Sequence, residues 1–326
     1  MQPLWISEAD VAALLDMRAA IDAVERGLAA EAAGAAPPML KTHVQWGAGA
    51  TLHALGAAMP GIGVVGTKTW AHTAGGANPL LLLFDAGTGA LRAVIEAFAL
   101  GQFRTGAVSG VATRLLAADH ARDLAIIGSG KQVIAQVAAV LAVRALATVR
   151  VYSPTPAHRD AFAQRLRDVF RIDARAVQSV ADAAADASIV TLATRAREPF
   201  LHAGMLARGA HVNAIGAITP DRVEFDRDVF ARCSVVAADS VPAVQRLSRE
   251  FQDYYGTGDW SGVVPLSRIV AEPPSRGPAT DVTLFKAMGT GVADLAVGHE
   301  VLERARRAGR GRPLVAPTAV EIDWSR

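Results

Sequence analysis

The chain has 326 residues, 51% hydrophobic and 20% charged, with a formal net charge of +2. One hydrophobic core rarely grows past roughly 250–300 residues, so two cores are expected, and the near-neutral balance argues against a nucleic-acid partner. The single cysteine, Cys233, excludes an intrachain disulfide and a cysteine-based metal site, and no apolar run approaches the ~20 residues that span a bilayer.

Residues 1–5 have no basic start followed by an apolar core, so no signal peptide is expected and the setting is cytoplasmic. The eight histidines show no helical ligand spacing, so no metal is expected. Cys233 precedes an apolar run and reads as a buried structural thiol. The basic cluster at 304–312 reads as a solvated helix end with its tail.

In chain order, Ser7 to Asp10 supplies an N-cap signal, and apolar residues at helical spacing continue over 17–33 until Pro37 and Pro38. Short apolar or alternating stretches at 41–46, 51–58, 64–70, 80–85 and 91–95 then read as strands, the last two forming a hairpin. A helix of small residues follows over 101–117. From Asp119 onward strand and helix alternate, the pattern of a parallel sheet. Strands are expected at 124–127, 148–152, 173–176, 189–192, 211–215 and 235–238, and helices at 132–143, 157–170 and 179–186. The Gly- and Pro-rich stretch 256–278 reads as a surface loop, and 283–308 as a final helix returning to the first half.

The strongest motif is Leu124-Ala125-Ile126-Ile127 running into Gly128-Ser129-Gly130-Lys131-Gln132 and then a helix. Gly128 suits the tight turn, and Gly130 lets a pyrophosphate approach the helix N-terminus, where free N–H groups favour negative charge. The third fingerprint position is Val133, which is expected to loosen helix-to-strand packing. A Rossmann-type site for NAD(P)(H) follows. After the second strand comes Ser153-Pro154-Thr155-Pro156, with no acid to hold a ribose 2′-hydroxyl. Ser153, Thr155 and Arg159 suit a 2′-phosphate instead, so NADP(H) is favoured over NAD(H). Three cations stand out in the first half: Lys41, Lys68 among apolar or small strand neighbours, and Arg104 in the small-residue helix.

Taken in order, several segments resemble the ornithine cyclodeaminase/mu-crystallin family over essentially the whole chain. They are Met59-Pro60, Gly66-Thr67-Lys68, Leu82-Leu83-Phe84-Asp85, Arg104-Thr105-Gly106-Ala107, the glycine loop, His211 to Gly216 with Pro220-Asp221, and Thr283 to Gly289 with Asp294-Leu295. The resemblance implies an α/β chain: a substrate and dimerisation domain over 1–118, a nucleotide domain over 119–284, and a C-terminal helix over 285–326 returning to the first. It implies a homodimer acting on a small imino or amino acid, with Lys68, Arg104 and Lys41 receiving the substrate. Arg104 would clamp the carboxylate through its planar fork, and Lys68 would orient the substrate or pass a proton. The expected cofactor contacts are Gly128, Ser129, Gly130, Lys131, Gln132, Ser153, Thr155, Arg159, Ala193, Thr194, Ile215, Gly216 and Lys286.

Two departures bear on the reaction. The cyclodeaminases of the family carry a Glu just before Met-Pro and an Asp past the Asn-Ala segment, where this chain has Ala57 or Ala58 and Ile218. Without those acids the reading is reduction of a cyclic ketimine, Δ1-pyrroline-2-carboxylate or Δ1-piperideine-2-carboxylate. The alternatives are ornithine cyclodeamination, an alanine-type dehydrogenase, and a non-catalytic NADPH-binding protein. The family's usual segment before Leu82 is also changed, to Gly76-Ala77-Asn78-Pro79-Leu80, which points to a different substrate pocket.

Overall fold

The computed structural model describes residues 2–47 and 49–325. The first half supplies β1 (Leu4–Ile6), α1 (Glu8–Leu14), α2 (Met17–Ala32), β2 (Thr42–Trp46), β3 (Ala50–Met59), β4 (Val64–Thr73), β5 (Gly76–Ala77), β6 (Leu80–Asp85), β7 (Leu91–Glu96) and α3 (Phe98–Leu116). The second supplies β8 (Asp123–Ile127), α4 (Val133–Val143), β9 (Thr148–Tyr152), α5 (Pro156–Phe170), β10 (Asp173–Ala176), α6 (Val180–Ala184), β11 (Ile189–Leu192) and β12 (His211–Ala214). It continues through β13 (Cys233–Ala238), α7 (Val241–Leu247), α8 (Arg249–Tyr255), β14 (Val263–Pro265), α9 (Leu266–Ala271), β15 (Val282–Lys286), α10 (Gly291–Arg307) and β16 (Arg312–Pro313).

These strands form two sheets. The first runs β16-β1-β7-β6-β4-β3-β2, with β5 on β4, and is antiparallel except where β1 meets β7. The expected hairpin is β6 and β7. The second runs β10-β9-β8-β11-β12-β15-β13-β14 and is parallel throughout. Strand order reverses between β8 and β11, and the crevice beyond their carboxyl ends is where an open parallel sheet takes its ligand.

Alternation decides which side chains face the core. In β6 and β7, Leu81, Leu83, Ala93 and Ile95 are fully buried against α2, α3 and α10. In β4 the same alternation buries Val64, Gly66 and Lys68, so the pleat itself turns one lysine inward. Ser7 and Asp10 form the capping box that opens α1. Glu8 then accepts from Ala99 N–H at 2.7 Å, so α3 begins three residues earlier than its small-residue pattern suggests. Val133 is completely buried with Leu124 and Ile126, so the third fingerprint position packs tightly instead of loosening the helix.

Two expectations are corrected. The stretch 256–278 is not simply a loop: Val263 in β14 and Leu266 and Ile269 in α9 are buried, and β14 extends the parallel sheet. A three-residue strand and a six-residue helix fall below what periodicity resolves among glycines and prolines. Likewise 283–308 is not one helix. It divides into β15, buried along its whole length, and α10. A strand covered on both faces shows an unbroken apolar run that reads like a buried helix. The expected domain boundary between 284 and 285 falls inside that strand.

α10 lies against β3 with no side chain between them, since a Cβ on Gly291 would stand 1.8 Å from the Gly56 carbonyl oxygen. Replacing Gly291 with alanine should therefore lower stability by about 1–3 kcal/mol or more through overpacking, readable as an earlier urea midpoint at unchanged slope. Among the described residues no helix is long and apolar enough to cross a membrane.

Candidate active site

A cleft of about 1000 Å³ opens where the parallel sheet reverses. The β8–α4 turn forms its floor with Gly128, Ser129, Gly130, Lys131 and Gln132, all expected there. Gly128 has φ +123°, and a Cβ there would meet the Ala193 carbonyl at 2.5 Å, so the turn requires glycine. Nothing lies within 4 Å of a Cβ position on Gly130, which leaves that backbone open to a ligand. No side chain caps the N-terminus of α4 at Gln132, and although Val133 N–H donates to the Gly130 carbonyl at 3.1 Å, the end of the helix stays open to an anion.

The walls carry Ser153, Thr155, Ala193, Thr194, Ile215 and Gly216, again as expected, together with His158, Arg195, Met288 and Gly289. Lys131, Arg195 and Arg104 line the cleft, and among the described residues no carboxylate side chain does. A dinucleotide, with its two phosphates, fits this uncapped and cationic trough.

Two expected cofactor contacts lie elsewhere. Arg159 is buried, donates to the Ser153 carbonyl at 3.2 Å and to Gln178, and lies 5.9 Å from the Tyr152 ring centroid. It braces the turn from behind, and His158 takes the place on the cleft wall. Lys286 is fully buried at the end of β15 and pairs with Glu250 at 3.2 Å. Its strand position turns it into the core beneath the cleft.

The other expected cations do gather, around an acid that sequence reading missed. Lys68, facing inward from β4, bonds Asp294 in the first turn of α10. Thr290 caps that helix, and the Gly291–Gly56 contact brings its first turn onto β3, directly beside β4. Arg104 Nε stands 3.2 Å from the same Asp294 oxygen. Burial, and then the neighbouring Arg104, depress the Lys68 pKa to about 8. Lys41, just ahead of β2, is also lowered by burial and by Arg104. Both lysines face Trp70, whose ring centroid is 5.4 Å from Lys68 Nζ and 5.8 Å from Lys41 Nζ. His53 stacks on the same tryptophan at 4.8 Å, and burial with Lys41 nearby holds its pKa down to about 4.

A second missed acid is Asp239, at the end of β13. It accepts from Met288 N–H at 2.7 Å and Gly289 N–H at 2.8 Å, fixing the turn against which Arg104 rests. Burial pushes its pKa up against those two bonds. Ile218, which the resemblance sets where the cyclodeaminases carry an acid, lines the cleft. Ala57 and Ala58 lie in β3 beside a separate apolar hollow of about 440 Å³ with Pro38 and Phe84, which holds no ionisable group. Cys233 donates to the Val229 carbonyl at 3.3 Å, and burial raises its thiol to about 12, the state of an inert structural residue. Arg304, Arg306 and Arg310 pair with Glu300, Glu303 and Asp10 at the helix end.

This arrangement can be compared with known proteins. The model described as Ornithine cyclodeaminase/mu-crystallin family matches residues 1–309. The chain is 33% identical over 238 residues to Delta(1)-pyrroline-2-carboxylate reductase of Bacillus cereus, covering 72% of this chain and 73% of that protein. It is 31% identical over 225 residues to the ketimine reductase mu-crystallin of Mus musculus, covering 68% of each. The solved structure of Thermococcus litoralis Delta(1)-pyrroline-2-carboxylate reductase, in complex with NADH and L-proline, superposes with a TM-score of 0.89. It is 27% identical and covers 95% of this chain and 100% of that one. By match and by fold, the chain belongs to the ornithine cyclodeaminase/mu-crystallin family.

Proposed function

We propose that this protein is an NAD(P)H-dependent reductase of cyclic ketimines, turning Δ1-pyrroline-2-carboxylate or Δ1-piperideine-2-carboxylate into the L-amino acid. One observation carries the reading: a buried Lys68–Asp294–Arg104 cluster adjoins the cleft, while the cleft position where a cyclodeaminase needs a carboxylate holds Ile218.

Reduced nicotinamide, when bound, supplies the hydride that the imine carbon takes up. The imine nitrogen must gain a proton in the same event, and the Lys68 ammonium is its donor. Asp294 keeps that ammonium charged and aimed despite burial. Arg104, partly exposed to the cleft, offers its planar fork to the substrate carboxylate, and Lys41 adds charge from the Trp70 side. Substrate and dimerisation functions are assigned to the first sheet with α10, and cofactor binding to the parallel sheet. NADP(H) is proposed over NAD(H), because Ser153, Thr155 and His158 line the cleft without an acid. A reductase drawing on that pool suits the cytoplasm.

Turnover of both imines with NADPH and with NADH tests these assignments together. Faster oxidation of NADPH is expected. Folded, cofactor-bound protein inert towards both imines would overturn the reductase reading. Ammonia release from ornithine, or NAD reduction with alanine, would replace it with one of the alternatives. A homodimer is also proposed, since β2 is exposed throughout and Leu40, Val44, Trp46 and Leu52 present apolar surface there. Light scattering that returned a monomer would refute it.

A further inference from the structure

We propose that Glu224 is a positioning residue: its buried carboxylate ties together the two loops that form the cleft wall on the nicotinamide side, away from Ser153 and Thr155. The inference rests on the dinucleotide reading of the cleft and goes further, assigning a role to a residue outside its lining.

Glu224 has no exposed surface. One of its oxygens accepts from the Thr194 N–H at 2.6 Å and the Thr194 hydroxyl at 2.9 Å. The other accepts from Gly216 N–H at 2.7 Å and Ala217 N–H at 3.0 Å. Thr194 lies just past β11, and Gly216 and Ala217 just past β12. The pairing of those strands ends at Leu192 with Ala214, so past that point the carboxylate continues the link the ladder no longer makes. The loops touch: a Cβ on Gly216 would fall 2.2 Å from the Thr194 carbonyl and 2.5 Å from the Glu224 carboxylate. Only glycine leaves room for the clamp.

Three of the four partners are amide N–H groups, which only donate, and the Thr194 hydroxyl already accepts from Ala196 N–H at 3.2 Å, so the ionised carboxylate suits the site. Burial raises the Glu224 pKa, and Lys286 opposes that rise. The residue is itself anchored. Its carbonyl accepts from Phe200 and Leu201 N–H at 3.3 and 3.2 Å, and its own N–H donates to Glu250 at 3.1 Å. Glu250 in turn holds Lys286 at 3.2 Å and accepts from the Ser248 hydroxyl at 2.7 Å. The lysine expected on the cofactor thus supplies the positive charge beneath this clamp.

Glu224→Gln keeps the shape, but its amide nitrogen cannot accept, so at least one backbone N–H of the clamp loses its partner. Calorimetry on the full chain with NADPH and with ADP reads the consequence. ADP needs only the glycine loop and the Ser153 end, so its affinity should stay at the wild-type value. The dissociation constant for NADPH should rise about tenfold. Thr194→Val removes the hydroxyl's bond to Glu224, together with the one it accepts from Ala196 N–H at 3.2 Å, and no charge. It should give a smaller rise of the same kind, and it carries the test where the glutamine variant does not fold. Equal weakening of both ligands, or NADPH affinity unchanged in a folded variant, would overturn the clamp. Wild-type protein that bound neither ligand would instead sink the dinucleotide reading beneath it.

Discussion

Replacing Lys68 with methionine should lower kcat for ketimine reduction by about 10²–10⁴-fold, the range a positioned proton donor supplies, while NADPH still binds. Methionine matches the length and the apolar surroundings of the Lys68 stem, and Asp294 keeps Arg104 as a partner. The wild-type pH profile reports the same group. With its pKa near 8, Lys68 holds its proton below that value, so kcat should fall as pH rises through about 8. Stability should run the other way. In the unfolded chain a lysine titrates near ~10.4, so between the two values the unfolded state binds more protons, and unfolding free energy rises with pH. Activity falling while stability climbs across that window is the expected signature, and the methionine variant should lose both dependences. Steady-state rates and urea unfolding over the same buffers check it. An alkaline limb that survives the substitution would assign the proton to another group.

Asp294→Asn should be the more damaging change to the fold. Asp294 is fully buried and faces two cations, so its neutral amide leaves the buried Lys68 and the partly exposed Arg104 side by side without a counter-charge. Breaking a buried pair from one side costs about 3–5 kcal/mol. The same loss removes what raises the Lys68 pKa, so any residual activity should decline at lower pH than in the wild type. The double variant Lys68→Met with Asp294→Asn discharges one of the stranded cations and should recover part of the lost stability. Urea unfolding of the three variants measures the coupling. A double variant no more stable than Asp294→Asn alone would show that the acid acts by shape and not by charge.

What could be read beforehand follows from the range of each interaction. The glycine turn is legible because strand, turn and helix are consecutive, and Gly128 to Gln132 all reach the cleft. Ser153 and Thr155 were legible for the same reason, one strand further on. Arg159 has the right distance along the chain but the wrong side of α5, and a sequence does not say which of two adjacent residues, His158 or Arg159, turns outward. The apolar and small neighbours of Lys68 set it apart in the sequence. Its partner lies 226 positions away and meets it only because two glycine backbones touch between α10 and β3. Asp294 lies in one of the segments that carry the family resemblance, yet nothing local marks an acid in a first helical turn as anything but a favourable dipole contact. Glu224 and Asp239 escaped notice for a related reason: both bind backbone amides, which every residue type carries. Lys286 and the neighbouring apolar run show the limit of periodicity, since a central strand is hydrophobic on both faces and conceals its direction.

The short passage from β15 into α10 has a mechanical corollary. Residues 287–290 lead from the parallel sheet straight into the helix that presents Asp294 to Lys68 on the other sheet. Ile215, Leu266 and Phe285 share one core with Ile21, Leu81 and Val292, so the root of that helix is packed from both sheets, and any repacking there would move Asp294 against Lys68.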